Sequence, residues 1–455
     1  MKKMNILTAG ALALTFLASS VMAAVSQQEA DKLGSTLTPL GGEKAGNADG
    51  SIPAWTGGLK PNAAPLQNDF LGNPYEGEKP LFTITAANAE QYKSKLSTGQ
   101  LAMFKRYPDS YKIPVYKTQR TAASPQAVYD ATKKSALVAE ASADGYALKN
   151  FEQSHYYAFP IPKNGLEVVW NHLTRSHGNS YINRQMQATP QVGGDYTPVL
   201  IDTEVGFPWK MADAKPEDNA NILFFAKQTV TAPARMAGSV LLIHETLDQV
   251  KEPRMAWAYN AGQRRVRRAP QVAYDGPGTA ADGLRVADNA DMFNGAPDRY
   301  DWKLIGKKEM YIPYNNYLLQ SPKLKYDDII KPGHINQDFT RYELHRVWEV
   351  EGTLKAGQRH IYAKRHMYFD EDTWAAVEID QYDGRGQLWR VSEGYLVNDY
   401  QQGVANYAAI GIYDLIAGRY VVSNLGNENK RGTDYTYQPT MNDFTPAALR
   451  NAGIR

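Results

Sequence analysis

The 455-residue sequence has no cysteine. Disulfides and thiolate chemistry are therefore excluded, and so is a lipidated N-terminus, because a bacterial lipoprotein carries its lipid on a cysteine at the cleavage site. Long apolar runs are scarce too. Past the first two dozen residues nothing approaches the ~20 consecutive apolar residues of a membrane span, so a soluble mature chain is expected. Net charge is also missing. The formal +2 becomes 2 − 2 = 0 once residues 1–23, with Lys2 and Lys3 and no acid, are set aside. A neutral chain has no broad electrostatic attraction to nucleic acid or anionic membranes. Catalytic signatures are wanting as well. There is no Gly-x-Ser-x-Gly, no Gly-x-x-x-x-Gly-Lys and no Gly-x-Gly-x-x-Gly. Neither an enzyme nor a cofactor is expected.

The chain opens with Lys2 and Lys3, an apolar run Ile6 to Ala18, and the small-x-small site Val21-Met22-Ala23. This is the layout of a secretory signal. It predicts cleavage near Ala23 and a soluble protein of the Gram-negative periplasm. Residues 24–80 read as a short helix followed by an extended arm. Gly and Pro fill 15 of the 47 positions 34–80, too many for long elements. Trp55, Phe70, Leu71 and Tyr75 are expected to anchor that arm on the body.

Residues 81–150 read as helical. Thr85 caps one helix to about Leu96, a second covers Thr98 to Tyr107, and Ser124-Pro125 opens a third to about Ala143. From 151 to 455 a β domain is expected, with a C-terminal tail. Strands are predicted at 166–173, 180–188, 198–205, 222–231, 239–246, 254–259, 264–269, 307–313, 342–350, 360–369, 375–382 and 387–392. Tight turns between them dictate antiparallel pairing. The loop 270–296 is long enough to be either functional or mobile.

Alternation gives several strands one dry and one wet face. Trp257 and Tyr259 share a face, as do Leu344 and Trp348, and Met367 and Phe369. About ten such strands must curl, and helices that fill the curl imperfectly leave an apolar cavity. A fully packed core is the alternative. The fold class expected is α+β, mainly antiparallel β: an incomplete barrel or curled sheet covered by helices.

Two stretches carry a resemblance. One is Trp257-Ala258-Tyr259 with Gln263-Arg264-Arg265-Val266-Arg267-Arg268-Ala269-Pro270. The other runs from Met367-Tyr368-Phe369-Asp370 to Tyr382-Asp383-Gly384-Arg385-Gly386-Gln387-Leu388-Trp389-Arg390. Both resemble paired strands of the LolA/LolB-like superfamily. With Gly50-Ser51-Ile52-Pro53-Ala54-Trp55-Thr56-Gly57-Gly58, the whole chain is similar to long, uncharacterised Gram-negative proteins labelled outer-membrane lipoprotein-sorting proteins. The resemblance implies an incomplete barrel around helices with a cavity for acyl chains. It also implies association with a large inner-membrane exporter of the RND type and an outer-membrane barrel. The arm and helical segment are additions to the sorting-protein core, which puts lipoprotein cargo in doubt.

The expected function is a periplasmic binding or transfer protein for a hydrophobic molecule or lipid; the alternative is an adaptor without cargo. Trp257, Tyr259, Leu344, Trp348, Met367 and Phe369 are the expected ligand-facing residues. Arg264, Arg265, Arg267 and Arg268 put charge on both faces of one strand, as suits a rim or partner-docking edge. No metal site is expected. His360 and His366 are too far apart on one strand, about 20 Å by strand rise. His172 and His177 lack companions at ligand spacing. His177 with Ser180 reads as a polar turn rather than a catalytic pair. Asp370-Glu371-Asp372 could bind calcium but reads as a solvated hairpin turn.

Overall fold

A computed structural model describes residues 24–142, 144–215 and 220–452, without the side chains of 451 and 452. The signal-peptide reading falls on residues outside this range. The strands are β1 Phe82–Ile84, β2 Ile113–Val115, β3 Glu140–Ala141, β4 Leu148–Lys149, β5 Tyr181–Ala188, β6 Val199–Gly206, β7 Ile222–Ala232, β8 Val240–Thr246 and β9 Met255–Asn260. They continue with β10 Arg265–Arg268, β11 Tyr300–Pro313, β12 Tyr342–Leu354, β13 Lys364–Asp370, β14 Ala376–Tyr382, β15 Leu388–Asp399, β16 Val404–Asp414 and β17 Arg419–Leu425. The helices are α1 Gln27–Ala30, α2 Thr98–Arg106, α3 Gln126–Val138, α4 Gly165–Leu173, α5 Tyr326–Ile329 and α6 Leu449–Ala452.

All strands but β3 and β4 join one sheet, in the order β1-β2-β12-β13-β14-β15-β16-β17-β5-β6-β7-β8-β9-β10, with β11 on the other side of β12. Every pairing is antiparallel except a single step of β2 beside β12. The sheet is curled. β11 touches β14 and β15 although it lies three and four places from them in the order. A flat sheet would hold those strands about 14 Å or more apart. The curl does not close, because β10 pairs only with β9 and β11 only with β12. The fold is therefore the expected α+β, mainly antiparallel architecture, an incomplete barrel.

Residues 166–173, expected as a strand, are helix α4. Asn164 accepts the Glu167 N–H at 3.0 Å as a side-chain cap, and all nine residues of the helix are buried. A wholly buried run shows no polar face, so period two and period 3.6 cannot be told apart within it. Gly165 begins the helix because a Cβ there would come within 2.8 Å of the Lys303 backbone. The helix expected from Thr85 to Leu96 is a 3-10 turn, Ala89–Lys95, preceded by β1.

The wet faces also need correction. Glu343, Glu378, Asp380 and Glu393 in β12, β14 and β15 are all fully buried, and His345 is 1% exposed. The segment around α2 covers Glu378, Asp380 and Glu393, while Gln119 and Asn315 reach Glu343. Ser97 Oγ donates to Glu378 at 2.9 Å, and the Gly99 N–H donates to Asp380 at 3.0 Å. Tyr111 and Tyr342 donate to Glu393 at 2.9 and 2.8 Å. Polar strand faces are thus buried where a polar helix terminus meets one oxygen of each carboxyl, the second oxygen of Glu378 and of Asp380 having no partner among the described residues. The Asp370-Glu371-Asp372 turn is buried rather than solvated. His360 precedes β13 rather than lying in it.

Two cores flank the sheet. One gathers around α4 inside the curl, and the other around α2, β2 and the aromatic residues of β15 to β17. The arm lies on the body. Trp55 Nε1 donates to the Ala122 carbonyl at 2.8 Å, Phe70 is buried, and Tyr400 Oη reaches the Gly72 carbonyl at 3.1 Å.

Candidate functional site

Helix α4 fills the curl beneath β11 and β12. Beneath β5 to β8 the cover is the loop 270–296, and a cavity of 210 Å³ remains between the two. Its floor follows from register. Tyr181, Val205, Ala226 and Ile243 pair across β5 to β8 as one row, and Asn183, Thr203, Gln228 and Leu241 form the next. Paired residues point to the same face. The floor therefore consists of small and medium side chains with a polar margin. Val272, Pro277, Val286 and Ala290 of the loop form the roof.

The roof is tied down by ion pairs and hydrogen bonds. Arg419 pairs with Asp282 at 2.9 Å, Arg365 with Asp288 at 2.6 Å, and Arg175 with Asp291 at 2.5 Å. Gln187 Nε2 donates to the carbonyls of Thr279 and Ala280, both at 2.8 Å. His172 on α4 fastens the same region. Its Nε2 faces the Asp291 carbonyl at 3.0 Å, and its Nδ1 accepts the Ala376 N–H at 3.2 Å. That tautomer is neutral, and burial, then the Arg175 charge, pushes its pKa down to about 3. His177 at the cavity mouth is pushed down to about 4 by the same two causes. Burial works against the Asp291 carboxylate, but the Arg175 guanidinium holds it below the ordinary range.

One charge in the wall has no counterpart. Glu245 is matched by Arg254 at 2.8 Å, and Asp291 by Arg175. Arg285 lines the cavity with no ion pair among the described residues, and its Nε has no hydrogen-bond partner. Burial alone pulls its pKa down to about 10. A second, more polar pocket of 140 Å³ adjoins the cavity and shares His177, Tyr181, Asn183, Asp291 and Asn424 with it.

The six residues expected to face ligand do not meet. Met367 and Phe369 are fully buried in the α4 core, and Trp348 packs against that core with its ring stacked 5.9 Å from Trp374. Leu344 belongs to the α2 core. Trp257 and Tyr259 pack with Phe225, Phe444 and Leu449 under the C-terminal tail. None of the six lines the cavity. Arg264, Arg265, Arg267 and Arg268 sit exposed on or beside β10, the free edge, with no ion pair among the described residues. Arg268 lies over the Trp257 ring at 5.0 Å. His177 faces Asp291 at 3.9 Å, while Ser180 Oγ accepts the Phe207 N–H at 3.4 Å. Arg285 escaped notice because a lone arginine in a loop has no pattern. The length of the loop was the one available signal.

Among known proteins, a family model described as protein of unknown function (DUF1329) matches residues 83–450. An uncharacterized protein of Pseudomonas aeruginosa is 61% identical over 451 residues, 99% of either chain. Among solved structures, a Vibrio parahaemolyticus domain named for outer membrane lipoprotein sorting is 13% identical. It covers 63% of this chain and 98% of its own, with a TM-score of 0.44. A DUF1329 family protein from Desulfovibrio piger is 14% identical, covering 60% and 92%, with a TM-score of 0.42. A LolA superfamily protein from Nitrosomonas europaea is 12% identical, covering 62% and 98%, with a TM-score of 0.38.

Proposed function

We propose that this chain, which belongs to the DUF1329 family, is a non-catalytic carrier that holds a small hydrophobic molecule bearing an anionic group. The observation behind this reading is the roofed cavity of 210 Å³, whose floor holds an apolar patch of Val205, Ala226, Leu241 and Ile243, with Arg285, unpaired among the described residues, in its wall. Apolar surface supplies affinity at about 0.8 kcal/mol per buried methylene. Arg285 supplies orientation, because a half-buried cation gains from a carboxylate or phosphate that replaces lost water. The volume lies below the ~300–1,000 Å³ of pockets for drug-sized ligands. One acyl chain end fits this reading, and the several chains of a lipoprotein do not.

No helix among the described residues is long and apolar enough to cross a membrane. Together with the leader-like opening, this supports work in the periplasm. The arginine edge at β10 supports docking to an acidic partner, for which a large RND-type inner-membrane exporter and an outer-membrane barrel are the candidates. An adaptor role without cargo would need the same edge but not the cavity.

A dansyl-labelled fatty acid and its methyl ester test the reading. The wild-type chain should bind the acid more tightly than the ester, and Arg285→Gln should erase that preference. Equal binding of acid and ester by the wild type would refute the anionic requirement. Binding of neither would refute the carrier.

A further inference from the structure

A second uncompensated charge, of opposite sign, lies outside the cavity. His345 on β12 and the turn after β13 meet through register: Val347 pairs with Asp370, and His345 lies two residues further along the same face. The His345 Nε2 stands 3.0 Å from Glu343 Oε2. A carboxylate only accepts, so Nε2 carries a proton, and in the neutral tautomer Nδ1 presents a bare lone pair. That lone pair faces Asp370 Oδ1 at 3.9 Å. Asp370 Oδ1 is buried and has no hydrogen-bond partner, while Oδ2 accepts from Thr373 at 2.7 Å. Two electron-pair donors thus face each other across a gap too wide for a hydrogen bond. The gap suits two coordination bonds of about 2.1 Å to one ion.

A carboxylate oxygen of Asp372 completes the group, with all three ligand atoms within 4.8 Å of one another and all three residues buried. Arg120 fixes Asp372 by donating to both of its oxygens, at 2.6 and 2.8 Å, which leaves each oxygen a second lone pair. The His345 ring is held by stacking on Tyr314, 3.9 Å between centroids. The ion pairing points the same way. The network that ends on these residues contains Glu43, Glu78, Glu343, Asp370, Glu371 and Asp372 against Arg120, Lys307, Arg341 and Arg346. Of the buried carboxylates among them, Asp370 alone has no arginine or lysine ion pair among the described residues.

We infer that His345, Asp370 and Asp372 bind one divalent transition-metal ion of the zinc or manganese type. The donor set of one imidazole nitrogen and two carboxylates matches such ions, and Glu343 behind the imidazole is the usual outer partner of a metal-bound histidine. The ion is structural. It ties the hairpin to Arg120, whose Nη2 also donates to the Glu43 carbonyl of the arm at 2.7 Å.

Elemental analysis after unfolding, chelation and refolding with Zn²⁺ or Mn²⁺ alone, then gel filtration, tests the site. The wild-type chain should retain about one equivalent and melt at a higher temperature than protein refolded with chelator. Asp370→Asn and His345→Ala should retain less than about a tenth of that. Glu343→Gln, which leaves the ligands in place, should weaken affinity roughly 10–100-fold. Wild-type protein that refolds but keeps neither ion, or keeps only Ca²⁺ or Mg²⁺ when these are offered, overturns the inference. So does full retention by folded Asp370→Asn. The wild-type measurement decides the matter even if a variant fails to fold.

Discussion

The two halves of the sheet solve the same problem differently. From β12 to β16 both faces are buried, with α4 on one side and the α2 segment on the other. From β5 to β8 one face looks into a cavity roofed only by loop. The halves join at β17 and β5, where only two residue pairs are made and the register slips between Val422 and Leu425. The first half is packed solid on both faces, and the second keeps space. A sheet need not be uniformly packed to be stable, provided most polar groups around the space are paired.

The widest separation between the halves should appear in acid. His172 and His177 have an ordinary value of 6.5 and folded values of about 3 and 4. Between pH 6.5 and those values the unfolded chain binds protons that the folded chain refuses. Stability where these histidines meet the loop 270–296 is then lost as pH falls, about 1.4 kcal/mol per pH unit for each histidine. The acidic face of the solid half responds with the opposite sign. Burial raises the Asp380 carboxyl to about 7 and lifts Glu378 well above its ordinary value. As pH falls from about 7 the folded state takes up these protons first, and the penalty for burying them disappears. Hydrogen exchange at pH 5 against pH 7.5, corrected for intrinsic rates, should show residues 270–296 loosening while β14 and β15 do not. Uniform loosening would erase the contrast.

The next effect is in packing. Ile379→Ala, in the fully buried half, should cost about 2–5 kcal/mol in denaturant unfolding. Leu241→Ala, whose side chain already faces free space, should cost less than about 2 kcal/mol. Equal losses would mean that the cavity is filled in solution. Ala226→Trp, in the middle of the floor, should leave the unfolding midpoint nearly unchanged and abolish binding of the dansyl fatty acid. If binding survives, the ligand sits elsewhere. The smallest effect is expected from changing Arg264, Arg265, Arg267 and Arg268 together to Ser. Exposed and without ion pairs, they should contribute less than about 0.5 kcal/mol each to stability. Loss of any partner captured by the wild-type protein would then report docking alone.

How far the sequence could be read depended on local periodicity. Strands β5 to β9 are legible in the sequence within about a residue or two, because their β-branched and aromatic runs are bounded by turn residues. Helix α2 was legible because Ser97 and Gln100 form a capping box. Helix α4 was not, since burial on every side removes the polar face that would reveal its period. The expected ligand face failed for a related reason. Trp348, Met367 and Phe369 do point into the curl, but α4 already occupies the space they face. The trio His345, Asp370 and Asp372 carries no spacing signature, because strand pairing rather than sequence distance brings it together, and Arg285 stands alone in a loop.

Composition and alternation alone were enough to determine a cysteine-free, mainly antiparallel β protein with a curled sheet and an anchored arm. These properties depend on residues within a few positions of one another, where side-chain period and turn chemistry act directly. Where the curl is filled and where it is empty, and which buried charges lack a partner, were decided only by tertiary structure. Those outcomes depend on volumes and distances between segments hundreds of residues apart, which no local pattern encodes.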